Sequence, residues 1–310
     1  MNILLTGAGG VYIKHLIRKL DKKIFDEVTI VDCNYKTLKN IPANFKYKIP
    51  RGDSTKFLPI ISRIIKKRNI KVVVCVVDKE LIKFHKLNKK VLLLQPNLNF
   101  SKLSLNKFKL CRKLHKLNIN TFDTYLLSNY KNTFAFPIII KPIYGCGSRG
   151  VVKIKNEKEL NTYKKKKIHK KNYIVQKIIE GDEYTVSVIL DRSSKDFQIV
   201  PKKIIKKKRF TREAVTEKNE LIYGICKKIV KNFKPSGPFN LQCIANKKNV
   251  EIFEINPRLS TSSTLTAASG INEINTLVKN KLNKKFSIKK LKWKGNVKLL
   301  RNRKDNFIYN

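Results

Sequence analysis

The chain has 310 residues, with 69 Lys and Arg against 22 Asp and Glu, a formal net charge of +47. A hydrophobic fraction of 42% excludes a disordered polycation, and no apolar run reaches the roughly 18 residues of a membrane-spanning helix. Of the basic residues 57 are Lys and only 12 are Arg, spread along the whole chain, so the charge describes a solvated surface better than a nucleic-acid face.

Residues 2–6 (NILLT) predict a short apolar strand that ends in GAGG, followed by a helical stretch over about 11–20. VTIVD at 28–32 reads as a second strand ending in Asp32. FLPIISRIIKKRNI (57–70) carries apolar residues at helical spacing, KVVVCVV (71–77) reads as a buried strand, and VLLLQP (91–96) as another. Strands alternating with helices predict βαβ units and a parallel sheet buried on both faces. The opening is also similar to the TGxxGxxG start of extended short-chain dehydrogenases and epimerases. Thr6, Gly7 and Gly10 fit, but Ile13 occupies the third glycine position. Those enzymes also need a Tyr-x-x-x-Lys pair: Tyr12 is followed four residues on by Leu16, and Tyr163 with Lys167 lies inside a lysine run. A plain turn after the first strand, lining a cleft, is the expectation. That turn follows the start of the chain without a basic leader, which predicts a cytoplasmic protein with no membrane partner. The six cysteines (33, 75, 111, 146, 226 and 243) form no Cys-x-x-Cys pair and read as buried free thiols, not zinc ligands.

Three segments stand out from the lysine background. FPIIIKPIYGCGSRGVVKI (136–154) has a strand ending at Lys141-Pro142, then a loop with Gly145, Gly147, Ser148 and Gly150 before a second strand. Such a loop lets backbone N–H groups close around phosphate oxygens, and the lysine beside it adds a positive charge. The alternative is a mere turn. YIVQKIIEGDEYTVSVIL (173–190) places the acidic run Glu180-Gly181-Asp182-Glu183 between two strand-like stretches, where it reads as a hairpin turn or as a carboxylate that accepts ribose hydroxyls. In PFNLQCIANKKNVEIFEINPRLSTSSTLTAASGIN (238–272), two consecutive strands bring Gln242 opposite Glu254. Glu254 and Asn256, two apart, point to one face of their strand. Oxygen ligands of this kind suit Mg²⁺, and Arg258 follows at once.

Together these segments resemble the ATP-grasp family, in particular the repeat of the carbamoyl-phosphate synthetase large subunit and its single-copy carboxylate–amine ligase relatives. In that family a Lys-Pro-plus-glycine loop folds over the triphosphate, an N-x-Q strand precedes an E-x-N-P-R strand, and small and hydroxyl residues follow, as in 240–242, 254–258 and 259–270 here. The resemblance covers about 100–280, and KIPRGDS together with NIKVVVCVVDKEL, within 48–81, is similar to the front halves of such ligases. It implies an α/β chain. A Rossmann-like pre-ATP-grasp domain (1–98) would precede an ATP-grasp domain (99–281) whose two α+β subdomains sandwich ATP. A basic segment (282–310) would close the fold.

Carried over by residue, the resemblance implies that Lys107 reaches the nucleotide phosphates and Lys141 the α/β-phosphates, under a lid of Gly145, Gly147, Ser148 and Gly150. Gln176, Lys177 and Ile178 would offer backbone to adenine, and Glu183 would bind ribose. Gln242, Glu254 and Asn256 would ligate Mg²⁺, with Mn²⁺ as a substitute. Arg258 would act with Lys141 and Asn256 in catalysis by stabilising the γ-phosphoryl group. Arg209 and Arg212, in PKKIIKKKRFTREAVT (201–216), lie where relatives carry a substrate-side arginine, but the glycine usual in that loop is missing. The implied activity is an ATP- and Mg²⁺-dependent ligase joining a small carboxylate to an amine through an acyl phosphate, with a homodimer compatible. A carboxylate- or carbamate-kinase-like activity and a basic nucleic-acid-binding protein are the alternatives.

Overall fold

The computed structural model describes residues 1–310 except 11, 88–90, 167–169, 303 and 310. Lys167, half of the Tyr163/Lys167 pair, and Val11, at the start of the expected first helix, lie outside the described residues.

The front of the chain runs β1 (Asn2–Thr6), α1 (Ile13–Arg18), β2 (Val28–Asp32), β3 (Phe45–Lys48), α2 (Phe57–Lys67), β4 (Ile70–Val74), α3 (Asp78–Phe84) and β5 (Leu92–Leu93). Its five strands form a parallel sheet in the order β3-β2-β1-β4-β5. Side chains alternate along a strand, so Ile3 and Leu5 enter one core while Leu4 enters the other, and Val72 and Val74 likewise oppose Val73. This two-sided burial is why NILLT and KVVV read as unbroken apolar runs. α1 covers one face with Ile13, Leu16 and Ile17, and α2 covers the other with Phe57, Ile61 and Ile64. The strand order reverses between β1 and β4, which leaves a crevice beyond their C-terminal ends. Two expected strands are shorter than the sequence suggested, ending at Val74 and spanning only Leu92–Leu93.

Two helices follow, α4 (Leu98–Leu105) and α5 (Lys107–Lys116), each started by an asparagine. The Asn97 and Asn106 side chains accept the amides of Phe100 and Lys109. Next come β6 (Thr124–Leu126), β7 (Ile138–Pro142), β8 (Val152–Ile154), α6 (Glu157–Lys166) and β9 (Tyr173–Lys177), which build an antiparallel sheet of order β6-β9-β7-β8. The chain then forms β10 (Asp182–Leu190), β11 (Phe197–Lys208), β12 (Phe210–Thr216), α7 (Glu220–Phe233), β13 (Phe239–Ala245), β14 (Val250–Asn256), α8 (Ser263–Ala268), α9 (Glu273–Leu282), β15 (Lys298–Arg301) and β16 (Asp305–Ile308). The strands of this part make an antiparallel sheet of order β14-β13-β10-β11-β12-β15-β16. Ile189 and Val200 of this sheet and Ile274 and Leu277 of α9 share one apolar core with β1 and α1, so the front sheet is packed onto the larger one.

Two expectations are corrected. The acidic run at 180–183 is not a hairpin turn, because β9 pairs with β6 and β7 while β10 pairs with β11 and β13. Residues 178–181 instead cross from one sheet to the next. Gly181 has φ +147°, and a Cβ there would lie 2.6 Å from the Ala245 carbonyl oxygen, so the crossing needs a glycine. The cysteines are free, but Cys33 and Cys146 are exposed and only the other four are buried.

β15 and β16 extend the larger sheet beside β12. Arg301 within them is 1% exposed and fully engaged: Nε on Asp305 at 2.5 Å, and the terminal nitrogens on the carbonyls of Thr211 at 3.2 Å and Thr261 at 2.9 Å. Removing one partner of a buried pair leaves the other charge uncompensated. Arg301→Met is therefore expected to lower stability by about 3–5 kcal/mol in urea unfolding, and Arg301→Met with Asp305→Leu to recover most of it. A loss under 1 kcal/mol for the single variant would contradict this account.

Candidate functional site

Between the four-stranded and seven-stranded sheets lies a cavity of about 650 Å³, the scale of a small-ligand site. Strand alternation decides what faces it. On β7, Ile138 and Ile140 point into the core of the smaller sheet, so Ile139 and Lys141 line the cavity. On β13, Asn240, Gln242 and Ile244 line it from the opposite side. Across the β13/β14 pair Gln242 stands opposite Glu254 and Asn240 opposite Asn256. The register slips between Gln242 and Cys243, leaving Phe253 as an extra residue. This bulge turns both Phe253 and its neighbour Glu254 toward the cavity, which a regular strand would not allow.

Most of the expected site residues converge there. Lys107 enters from the first turn of α5. Its Nζ donates to the Gly145 carbonyl at 2.6 Å and lies 3.3 Å from Glu254 Oε1. Gly145, Gly147 and Ser148 border the cavity from the β7–β8 loop, which Asn106 also ties down by donating to the Tyr144 hydroxyl at 2.8 Å. Gln176, Ile178 and Glu183 line it along the crossing between the sheets. Asn256 and Arg258 close its end, with one Arg258 terminal nitrogen donating to Asn256 Oδ1 at 3.3 Å. Two expected residues do not line the cavity. Lys177 is 3.5 Å from Asp123, and a Cβ on Gly150 would touch the Pro142 ring at 3.0 Å. Arg209 lines the cavity, with φ +62° at the β11–β12 turn. Arg212 turns away, stacks on Phe210 at 4.5 Å and donates to the Asn302 carbonyl.

Some residues at the site were not singled out from the sequence. Lys207, one lysine in a run of three, pairs with Glu183. Asp78 accepts the Arg258 Nε–H at 2.7 Å. Tyr12 lines the cavity from the turn after β1, as expected of that turn. Asp78 had one legible cue, as an acid just past the VVVCVV run, beside the crevice where α/β sheets bind ligands.

The charges are set by burial against pairing. Burial lowers the Lys141 ammonium to a pKa of about 8, with Glu254 pulling the other way. Burial also works against the charges of Arg258 and Asp78, but each outweighs it for the other. Asp78 sits below the ordinary carboxylate range, and Arg258 is more firmly protonated than usual. Burial pushes the Tyr12 phenol up to about 12 despite the nearby Arg258 and Arg301. Among the described residues no group of three His, Cys, Asp or Glu side chains is placed to hold a metal. Gln242, Glu254 and Asn256, the three residues expected to ligate a cation, all line the cavity. All three offer oxygen to the same space, and that donor type fits Mg²⁺, which keeps its own waters and accepts phosphate oxygens.

Residues 104–262 match the ATP-grasp domain family, just over half of the chain. Among solved structures the chain is similar to the biotin carboxylase domain of Hydrogenobacter thermophilus 2-oxoglutarate carboxylase, crystallised as a dimer with MgADP, ADP and bicarbonate. The TM-score is 0.76 at 15% identity, covering 96% of this chain and 74% of that one. It is also similar to an L-amino acid ligase from Bacillus licheniformis (TM-score 0.70, 14% identity, 96% and 78% covered). A third likeness is to N5-carboxyaminoimidazole ribonucleotide synthetase from Thermotoga maritima (TM-score 0.68, 19% identity, 94% and 78% covered). At these identities the likeness concerns the fold.

The lowered pKa of Lys141 has a signed consequence. Its charged form is disfavoured in the folded state, so the cost is full below about pH 8 and vanishes as pH rises toward the ordinary value of 10.5. Lys141→Met is therefore expected to stabilise the ligand-free chain by about 1–3 kcal/mol at pH 7, the gain fading by pH 10. Urea unfolding of both proteins at the two pH values checks this. An equal difference at both would refute it.

Proposed function

The chain belongs to the ATP-grasp family, and from that premise we propose that it is an ATP- and Mg²⁺-dependent ligase joining a carboxylate to an amine. The observation that carries this reading is the convergence of Lys107, Lys141 and Arg258 with Glu254 and Asn256 on one cavity between two antiparallel sheets. Residues 1–98 would form the pre-ATP-grasp domain and 99–281 the ATP-grasp domain, with 282–310 closing the fold through β15 and β16. A dimer, as in the biotin carboxylase structure, is compatible with the reading.

A carboxylate is a poor electrophile because its charge repels an incoming amine. In the proposed reaction a carboxylate oxygen attacks the γ-phosphorus of ATP, the bond from that phosphorus to the β–γ bridging oxygen breaks, and ADP leaves. The amine nitrogen then attacks the acyl carbon, the C–O bond to phosphate breaks, and the amine loses a proton as phosphate departs. Phosphoryl transfer of this kind is helped mainly by positioning and by neutralising oxygen charge. Lys107 and Lys141 would hold phosphate oxygens, and Arg258 would meet the charge on the transferring group. The 145–148 loop would cover the phosphates and keep water out, and Glu183 would accept ribose hydroxyls. Backbone groups near Gln176 and Ile178 would meet the base. When bound, Mg²⁺ on Gln242, Glu254 and Asn256 would supply charge neutralisation. The L-amino acid ligase likeness favours small amino acids as the first substrates to try, with Arg209 on the acceptor side of the cavity.

The test is ADP release from a panel of small carboxylates, each with and without amines. With the active pair, Glu254→Gln is expected to lower turnover by about 10²–10³ while circular dichroism is unchanged. Near-normal turnover by that variant would remove Glu254 from the site. Sustained ADP release with the carboxylate alone would shift the reading to a carboxylate kinase.

A further inference from the structure

Asp78 lies outside the segment matched to the ATP-grasp domain. It is the first residue of α3, just past β4 at the C-terminal edge of the parallel sheet. It precedes Arg258 by 180 residues, yet the two side chains meet at 2.7 Å with only 14% and 10% of their surface exposed. A carboxylate in the first turn of a helix is favourable by itself, but that local effect needs no arginine.

The guanidinium shows what the contact does. It has five N–H donors in a rigid planar fork. Nε is engaged by Asp78, one terminal nitrogen donates to the Leu259 carbonyl at 3.2 Å, and the other to Asn256 Oδ1 at 3.3 Å. One N–H on each terminal nitrogen is left over, and Arg258 lines the cavity. Pinning Nε therefore sets the direction of both remaining donors. The same carboxylate also feels Lys107 of α5 and Cys146 of the glycine loop, and the Tyr12 phenol feels the charges of both members of the pair. The charge of Asp78 is thus felt in three segments that border the cavity.

We propose that Asp78 is a positioning residue for phosphoryl transfer: through Nε it aims the Arg258 fork at the transferring phosphoryl group, which makes the front sheet a working part of the site. The proposal rests on the ligase reading, which places Arg258 at that group. Pairing with Asp78 offsets the charge that Arg258 offers a phosphate, so the benefit lies in orientation. Orientation should matter more for the transferring group than for a nucleotide at rest.

That difference is measurable without knowing the substrate. The whole chain is titrated calorimetrically with MgADP, alone and with aluminium fluoride as the mimic of the transferring phosphoryl group. The unaltered chain is expected to bind the fluoride complex more tightly than MgADP. Asp78→Asn should leave MgADP affinity unchanged and cut the fluoride preference about tenfold, because a carboxylate that pairs with the guanidinium is replaced by a neutral amide oxygen that holds it less firmly. In an Arg258→Ala background the same substitution should cost nothing further. Full preference retained by Asp78→Asn, or an equal loss in the Arg258→Ala background, overturns the proposal. A fall in MgADP affinity in Asp78→Asn as large as the fall in affinity for the fluoride complex also overturns it, because Asp78 would then act on nucleotide binding as a whole and not on the transferring group. No fluoride preference in the unaltered chain would instead contradict the ligase reading itself.

Discussion

Cations gathered in one cavity repel each other and resist burial, and the arrangement of carboxylates answers that constraint. Lys107 faces Glu254, Arg258 faces Asp78, and Lys207 faces Glu183. Lys141 is left with the Phe253 carbonyl at 3.4 Å and the Phe253 ring at 5.3 Å, and it is the lysine whose pKa falls to about 8. In a chain with 22 acidic residues and 69 basic ones, three carboxylates committed to a single cavity form a selective arrangement. On the proposed reading, a bound triphosphate supplies the anion that Lys141 lacks.

The three sheets exist to hold those pairs in place. The antiparallel β13/β14 ladder puts oxygen donors opposite each other, and its bulge adds Phe253 to the same wall. The short sheet contributes Lys141 and the glycine loop. The parallel sheet contributes Asp78 and Tyr12 from the crevice beyond β1 and β4, the place where open α/β sheets receive ligands. Arg301, from the last strands, fixes the distance between Thr211 and Thr261, two residues that border the cavity. Each part of the chain touches the site through a few buried polar contacts.

What could be read from sequence follows from the range of the interactions. The E-I-N-P-R strand and the Lys-Pro-glycine loop were legible because their spacing is local: residues two apart share a strand face, and glycines mark a loop. The parallel sheet was legible from apolar runs that two cores require. The 180–183 run misled because a turn between two strand-like stretches looks the same whether it joins neighbours or crosses between sheets. Asp78 pairs with a residue 180 positions away, and no local pattern encodes that distance. Lys207 was hidden by composition, since one cavity-lining lysine among 57 carries no mark. Arg209 was legible as a candidate, and its left-handed backbone stands where the family's pattern has a glycine nearby.

The most direct test of the account follows the oxygen atoms. With the carboxylate that supports ADP release, labelled with ¹⁸O in its carboxyl group, the chain is supplied with ATP and the amine, and the released phosphate is analysed by mass. Activation through an acyl phosphate predicts one ¹⁸O transferred from the carboxylate to each phosphate, because the oxygen that attacked phosphorus leaves with it. Phosphate that carries no label while product accumulates would contradict the central claim.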